Sequence, residues 1–151
     1  MRIIIDADGC PVVHLSVSIA KKHGIEAIIV CDCAHVFDLP GVETITVTKG
    51  ADSADFRIAN MISAGDIVVT QDYGLAAMCL ARKAIVINQN GHDYTEDNID
   101  SMLLARHTAR KIRNTGGRLK GPSKRTAEQD KAFADRLNAL LEACKSSVSP
   151  Q

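Results

Sequence analysis

Residues 1–11 decide the fold, and they read Met1-Arg2-Ile3-Ile4-Ile5-Asp6-Ala7-Asp8-Gly9-Cys10-Pro11. Three consecutive β-branched residues without a polar residue between them predict a central parallel strand that is covered on both faces. Gly9 ends this strand, and Pro11 suits the first turn of a helix, where its missing N–H needs no partner. Ligands of open α/β sheets bind beyond the carboxyl ends of the strands, so Asp6 stands where chemistry is expected. A carboxylate that only caps the following helix is the alternative interpretation.

A second stretch repeats this pattern of an apolar strand that ends in an acid. It reads Asp66-Ile67-Val68-Val69-Thr70-Gln71-Asp72. Between the two stretches, residues 51–62 predict a helix whose first turn carries Asp52 and Asp55, three residues apart and therefore on one face. The alternative interpretation is that these two acids only stabilise the helix, because acids in a first turn complement the helix dipole.

The alternation of strand and helix signals predicts an α/β protein, a three-layer α/β/α sandwich around a mostly parallel five-stranded sheet. Further strands are expected near residues 27–30, 42–47 and 84–87. A strand order of 3-2-1-4-5 would place Asp6 and Asp72 across the crevice at the topological switch point. The helix that begins at Asp52 would start at the same rim.

One domain is expected over residues 1–144, since 151 residues suffice for a single core without disulfides or a structural metal. Its last helix, at 126–144, should begin with a capping box formed by Thr126 and Gln129. Residues 145–151 read as a disordered tail.

The composition favours a cytoplasmic protein without a membrane partner. No apolar run approaches the roughly 20 residues needed to span a bilayer. The five cysteines form no paired framework, which suits reduced thiols. Residues 31–35, Cys-Asp-Cys-Ala-His, lack the usual zinc spacing and a second ligand pair, so we do not expect a metal there. Cys10 is a weak candidate nucleophile and more simply a small turn residue.

The formal net charge of zero hides a strong asymmetry. Eight of the 18 basic residues lie between positions 106 and 125, where there is no acid, and the remaining ten oppose all 18 acids. This segment predicts a polyanion partner, and the acidic remainder predicts bound cations. A solvated helix face and loop is the alternative. The basic residues are Arg106, Arg110, Lys111, Arg113, Arg118, Lys120, Lys124 and Arg125.

The acids at the predicted rim form a candidate metal site. Asp6, Asp52, Asp55 and Asp72 should converge there, with Asp8 as a further candidate in a supporting position. Close carboxylates disfavour joint ionisation, and a hard divalent cation removes that cost. Mg²⁺ or Mn²⁺ suits carboxylate and water ligands best.

The same residues carry a family resemblance. The motifs DxD after the first strand, GADxAD at a helix start and GDIVVTxDxxLA are similar to those of PIN-domain nucleases. Over nearly its whole length, including DADGCP, TKGADSAD and GDIVVTQDYGLA, the chain resembles the YaiI/YqxD family of uncharacterised bacterial proteins, which is held to be PIN-like. The resemblance implies a PIN-like fold and assigns metal binding and catalysis to Asp6, Asp52 or Asp55, and Asp72. Many PIN domains place another acid soon after the fourth-strand Asp, where this chain has Tyr73-Gly74-Leu75.

These observations lead to the hypothesis of a metal-dependent nuclease with RNA as the expected substrate. Mg²⁺ or Mn²⁺ held by the acids would activate a water and stabilise charge on the scissile phosphate, and Thr70 could orient a ligand or water. The basic residues would bind the nucleic-acid backbone in a salt-sensitive manner.

Two alternative functions stay open. Self-association of the chain into a homo-oligomer stays open as well. The first is a non-catalytic RNA-binding module with the same fold. The second is a haloacid-dehalogenase-like phosphatase with Asp6 as nucleophile. For the phosphatase, Lys49 is poorly placed and Asp66 precedes its strand.

Overall fold

Strands and helices alternate along the chain in a computed structural model that describes residues 1–32, 39–48, 53–114 and 124–147. The strands are β1 (Arg2–Asp6), β2 (Glu26–Asp32), β3 (Glu43–Val47), β4 (Ile67–Val69), β5 (Ile85–Ile87) and β6 (Asp93–Tyr94). The helices are α1 (Val13–His23), α2 (Ser53–Met61), α3 (Tyr73–Ala81), α4 (Glu96–Asn114) and α5 (Ala127–Ser147).

The strands form one sheet in the order β3-β2-β1-β4-β5-β6. The first five are parallel, and β6 pairs antiparallel with β5. The predicted fold class and the order 3-2-1-4-5 are therefore confirmed. The sixth strand was not predicted, because its two residues are too few to show a strand period.

Helices cover both faces of this sheet and bury the middle of β1 between them. Ile3 and Ile5 face a core that is closed by α1 and α5, whereas Ile4 faces a second core closed by α2, α3 and α4. All three isoleucines have no exposed surface. The unbroken apolar run thus reflects a strand whose two faces are both buried.

The ends of several helices follow local sequence signals. Gly24 stops α1 in the left-handed conformation, with φ of +68°. The predicted capping box opens α5: Thr126 N donates to Gln129 Oε1 over 3.0 Å, and Gln129 N donates to Thr126 Oγ1 over 3.3 Å.

The last helix runs further than its predicted end. Residues 145–147 are helical, so the expected tail does not begin at Lys145, and residues 148–151 lie outside the described part of the chain. Lys145 Nζ lies 3.1 Å from Nδ1 of His23 at the end of α1, and Ser146 Oγ donates to Glu142 O over 3.1 Å. These contacts extend the helix beyond the last apolar residue of its core face.

The two longest helices are not membrane spans. They contain 19 and 21 residues, and charged side chains interrupt both of them. Among the described residues, no helix is long and apolar enough to cross a membrane.

Candidate active site

Asp6 and Thr70 lie next to each other where the two central strands end. β1 and β4 run parallel with Ile5 opposite Val69, so the next residue on each strand comes to the same level of the carboxyl edge. The buried Thr70 hydroxyl donates a 2.7 Å hydrogen bond to Asp6 Oδ2 and accepts one of 3.0 Å from the backbone N–H of Asp72. The structure thus joins Asp6 and Asp72 through a single hydroxyl group.

The carboxyl group of Asp6 is held in surroundings that disfavour its charge. Burial raises its pKa from 3.8 to about 6, the hydrogen bond from Thr70 opposes this rise, and the charges of Asp72 and Asp8 add to it. Loss of solvation is thus the main cause, and like charges contribute. A carboxyl group whose pKa is shifted by both effects in a crevice is a candidate for function.

Asp72 has a structural role in addition to its place in the crevice. It is the N-cap of α3, and its Oδ1 accepts a 3.0 Å hydrogen bond from the N–H of Leu75. A Cβ at Gly74 would lie 3.2 Å from this oxygen, so position 74 has little room for a side chain. Helix capping, which was the alternative for acids after strands, therefore applies to Asp72 and also sets its orientation.

Asp8 faces β2 rather than β4. Its two carboxylate oxygens lie 3.3 and 3.0 Å from the backbone N–H of Asp32, which donates to them at the end of β2. This contact ties the turn after β1 to the neighbouring strand. Asp8 is nevertheless close enough to raise the pKa of Asp6, as expected for a residue in a supporting position.

Asp55 lies in the first turn of α2 and is half-buried. Its charge reaches Cys79, a buried residue of α3: burial, with smaller contributions from the charges of Asp55 and Asp6, raises the pKa of that thiol to about 12. Asp55 and Asp6 therefore act on a common neighbour. Asp52 lies outside the described residues.

Within the described ranges, no group of three or more His, Cys, Asp or Glu side chains is arranged to hold a metal ion. The predicted convergence of Asp6, Asp55, Asp72 and Asp8 on one cation therefore stays a prediction. The structure establishes a narrower centre, in which Asp6 and Asp72 share Thr70.

The helix that carries the first part of the basic segment starts at the amino edge of the sheet. Lys83, at the amino end of β5, lies with its Nζ 3.6 Å from Oε1 of Glu96, the first residue of α4. The 19 residues of α4 extend about 28 Å, twice the roughly 14 Å of the nine-residue α3. We expect this length to bring residues 106–114 towards the carboxyl edge.

Only part of this basic segment has a described side chain. Lys111 and Lys124 are exposed. The side chains of Arg106, Arg110 and Arg113 lie outside the described part, and so do Arg118 and Lys120 entirely. Nucleic-acid binding by these residues stays a prediction.

Arg125 has a different environment, because its guanidinium group binds three acceptors. It donates to Gln89 O over 2.6 Å, to Asn90 Oδ1 over 2.8 Å and to Asp130 Oδ1 over 2.7 Å. These bonds attach the start of α5 to the turn that follows β5, at the carboxyl edge. Such a fork matches several acceptors at once, which suits an anchor for a helix end.

Several residues at this edge were not identified from the sequence in the roles they have. Thr70 binds Asp6 directly, Gln71 Nε2 donates to Gly9 O over 2.8 Å across the crevice, and Tyr94 donates to Thr70 O over 3.3 Å. Glutamine and tyrosine occur in all environments, so no sequence pattern marks Gln71 and Tyr94. Thr70 carried a signal because it stands in the strand-to-acid motif.

Cys10 is a poor candidate for a nucleophile. Burial raises the pKa of its thiol, and the charge of Asp6 adds to this effect although Arg125 opposes it. A raised pKa leaves less of the reactive thiolate. Cys31 is buried. Cys33 and His35, the other Cys and His of the Cys-Asp-Cys-Ala-His stretch, lie outside the described residues.

The fold and this edge together define an α/β/α sandwich protein with two half-buried carboxyl groups, Asp6 and Asp72, at the topological switch point of its sheet. The sequence profile described as "Uncharacterized BCR, YaiI/YqxD family" matches residues 4–143. The chain belongs to this family, as the motifs predicted.

Relatives of similar length support this assignment. A "UPF0178 protein" of Exiguobacterium sibiricum is 52% identical over 141 residues, which cover 93% of this chain and 96% of the relative. Proteins with the same name from Ruminiclostridium cellulolyticum and Clostridium kluyveri are 47% and 45% identical, over 91% and 93% of this chain and 90% and 93% of their own length. Among solved structures, Rae1 (YacP) from Bacillus subtilis, as the W164L mutant, is similar over 95% of this chain and 99% of its own, with 17% identity and a TM-score of 0.44. That similarity is too low to support conclusions about the site.

Proposed function

We propose that this protein is a metal-dependent nuclease that hydrolyses phosphodiester bonds, with RNA as its substrate. One observation carries the proposal: Asp6 and Asp72 lie at the carboxyl edge of the sheet, and so does the start of α5, where exposed Lys124 precedes the anchored Arg125. A phosphodiester needs both features, since cationic side chains bind its backbone and an acidic centre supplies the cation that hydrolysis requires.

The residues at the crevice fit a hard divalent cation. Mg²⁺ is commonly held by one or two carboxylates together with waters and substrate phosphates, rather than by a full protein cage. Asp6 and Asp72 supply such a pair, and Asp8 and Asp55 are the described candidates for a third. The raised pKa of Asp6 is consistent with this fit, because a bound cation would favour the ionised form that burial disfavours.

The chain's own residues then have distinct tasks. Asp6 and Asp72 would hold Mg²⁺ or Mn²⁺, which when bound activates water and neutralises charge on the phosphate. Thr70 positions Asp6 by binding its Oδ2, and α3 positions Asp72 through its capping bond. Exposed Lys111 and Lys124 bind phosphates of the substrate backbone by salt-sensitive contacts.

A non-catalytic RNA-binding module is the second candidate. The observation that favours it is the lack of a three-ligand metal group among the described residues. In that case the basic segment would bind RNA, and the carboxyl groups would serve metal-dependent structure rather than catalysis.

The phosphatase alternative loses support from the position of Asp66. Its buried carboxylate accepts hydrogen bonds from Arg2 N at 3.0 Å, Arg2 Nη2 at 2.9 Å and Ser63 N at 2.8 Å, at the amino edge of the sheet. Asp66 is therefore at the opposite edge from Asp6 and cannot serve as the later acid of such a site. Lys49 lies outside the described residues.

The test is cleavage of end-labelled RNA and DNA, single-stranded and structured, with Mg²⁺, Mn²⁺ or EDTA. We expect RNA cleavage that needs the metal and that falls at least 100-fold in Asp6→Asn and in Asp72→Asn. Asp100→Asn is the matched control, since it makes the same chemical change at an exposed position near the amino edge and should leave cleavage intact.

Three results separate the hypotheses. Cleavage that persists in both crevice variants would mean that a contaminant or another site is responsible. Salt-sensitive RNA binding without cleavage by any of the proteins would favour the non-catalytic module. Turnover of a small phosphate ester with a phosphorylated Asp6 would restore the phosphatase alternative.

A further inference from the structure

Phe56 is a large aromatic side chain that the fold leaves in water. It lies in the first turn of α2, and 57% of its surface is exposed. Phenylalanine is among the residue types that are most often fully buried. Among the described large apolar side chains, Met1 and Leu104 are the others that are exposed. A single exposed apolar residue is common on protein surfaces, so its meaning depends on where it lies.

The first turn of α2 lies at the carboxyl edge of the sheet. β3 runs parallel to β2 and β1, and it ends shortly before α2 begins. The other end of α2 is at the amino edge, because Arg2 Nη2 at the start of β1 donates a 2.6 Å hydrogen bond to Met61 O. Between its two ends α2 packs along β1, β2 and β3. Phe56 therefore lies at the same edge of the sheet as Asp6.

Phe56 also borders the flank of α2 that faces α3. Asp55 and Ala59 are four residues apart and share one flank of the helix. This flank faces α3, because the two helices pack together and because the charge of Asp55 adds to the effect of burial in raising the pKa of Cys79 in α3. Phe56 is three residues before buried Ala59, so the two are neighbours on the helix surface. Since α3 begins beside the crevice with Asp72 as its N-cap, the exposed ring of Phe56 lies on the solvent side of the crevice rim.

The residue after Phe56 adds a positive charge to this rim. Arg57 is exposed as well. Proteins that bind single strands combine cationic groups, which contact the phosphates, with aromatic rings on which the bases stack. The bases of a duplex are already stacked on their neighbours, so a ring at the protein surface can bind only an unpaired base. Phe56 and Arg57 together thus fit a single strand better than a duplex.

We propose that Phe56 is a base-stacking residue, and that the RNA cleaved at Asp6 and Asp72 is unpaired where it crosses the crevice. The inference rests on the proposed nuclease function and names the class of its substrate. The ring would hold one base beside the crevice, and Arg57 would contact a phosphate of the same strand. Every base has a π-face, so this contact binds a strand without selecting its sequence.

The first test measures binding, with Ca²⁺ in place of Mg²⁺ so that the strand stays intact. Fluorescence anisotropy with a single-stranded RNA should show about 5- to 100-fold weaker binding by Phe56→Ala. Phe56→Trp keeps an aromatic face and should bind at least as well as the wild type. Phe56→Leu keeps an apolar side chain without a ring and should bind as weakly as Phe56→Ala. The melting temperatures should stay equal, because more than half of the side chain is exposed.

The matched control is Asn60→Ala, at an exposed position of α2 one turn nearer to the amino edge. This variant should bind the single strand as the wild type does. Duplex RNA of the same sequence should bind to the wild type and to all variants with equal affinity, because it offers no unpaired base.

The second test detects the stacked base directly. 2-Aminopurine is placed at successive positions of the single strand, and its fluorescence changes when it stacks on an aromatic ring. We expect a change at one or two positions with the wild type and with Phe56→Trp, and none with Phe56→Ala or Phe56→Leu.

Four results would overturn the inference. They are single-strand affinity that is equal in Phe56→Ala and the wild type, wild-type binding by Phe56→Leu, an equal loss of duplex binding in Phe56→Ala, and no single-strand binding by any of the proteins. Sedimentation tests a second copy of the chain as the occupant: a wild-type dimer that Phe56→Ala dissociates without losing RNA affinity would place Phe56 at an interface between copies. If the wild type binds single strands through Phe56 but cleaves nothing with Mg²⁺ or Mn²⁺, the nuclease proposal fails and the stacking contact stands.

Discussion

The Thr70 hydroxyl donates a 2.7 Å hydrogen bond to Oδ2 of Asp6, and these two residues stand at equal height on neighbouring strands. A hydroxyl group has a single proton, so this bond fixes the direction in which Thr70 donates. The same oxygen accepts from the N–H of Asp72. The hydrogen bonds of Thr70 therefore affect the ionisation of Asp6, the stability of the sheet edge and the geometry of the crevice. Each of these effects can be measured.

Asp6 should make the stability of the metal-free protein fall as the pH rises. Burial and the charges of Asp72 and Asp8 raise its pKa to about 6, so the folded protein holds this proton more tightly than the unfolded chain does. Stability should decrease between about pH 4 and pH 6 and level off above, with a total loss of at most about 3 kcal/mol. Asp6→Asn cannot titrate and should lack this decrease. Urea unfolding in EDTA across this pH range measures the difference, and equal slopes in the two proteins would contradict the prediction.

Thr70→Val should destabilise the fold without changing the size of the side chain. It removes the bond to Asp6 and leaves the N–H of Asp72 without this acceptor, at a cost of about 1–3 kcal/mol. Thr70→Ser keeps the hydroxyl and is the control, which should lose less. Free energies of unfolding from urea titrations at neutral pH give the comparison. Valine and serine variants of equal stability would show that the hydroxyl does not matter.

Gly91→Ala should disturb the contact between α5 and the turn after β5. Its φ is +79°, and an added Cβ would lie 2.7 Å from the carbonyl oxygen of Ala132 in α5. Gly24→Ala is the matched control, because Gly24 has φ of +68° and nothing within 4 Å of its added Cβ. We expect Gly24→Ala to cost about 1 kcal/mol for its conformation alone. Gly91→Ala should cost about 1–3 kcal/mol more, because the backbones must move apart. Similar melting temperatures for the two variants would refute this.

Arg125→Gln should lower stability and Lys124→Gln should weaken RNA binding, although the two residues are neighbours in the basic segment. Arg125 loses three hydrogen bonds that anchor α5, so its variant should be destabilised by about 1–3 kcal/mol. Exposed Lys124 should keep normal stability but bind RNA more weakly, and the slope of log affinity against log salt should fall by about one. Thermal melts and fluorescence anisotropy at several salt concentrations separate the two effects. An Arg125 variant that melts normally and loses salt sensitivity would show that it contacts phosphate instead.

Local patterns were sufficient to predict most of the fold. The Ile3–Ile5 run predicted a doubly covered strand, and the repeated strand-to-acid motif at 66–72 predicted its neighbour. The Thr126–Gln129 box started α5 as expected, since capping depends on a few adjacent residues. Residues 93–94 were missed as a strand, because what makes them one is their pairing with β5.

The sequence could not show how the rim residues divide their tasks. Asp72 and Asp8 both follow strands, yet Asp72 caps α3 and shares Thr70 with Asp6, whereas Asp8 binds the end of β2. Arg125 and Lys124 are adjacent in one basic run, and only the first is held by three acceptors. The formal charge is equal within each pair, so the difference comes from neighbours, many of them far away in the chain.

The sequence by itself determined the order of the first five strands, the family and the edge of the sheet at which Asp6 and Asp72 lie, because hydrophobic period and motif position are local properties. Only the tertiary structure decided that Thr70 joins Asp6 to Asp72 and that burial raises the pKa of Asp6. The first depends on a hydrogen bond between residues 64 positions apart in the chain, and the second on the enclosure of Asp6 by the folded protein. Hydrogen bonds and loss of solvation act over a few ångströms of space, which no spacing along the chain encodes.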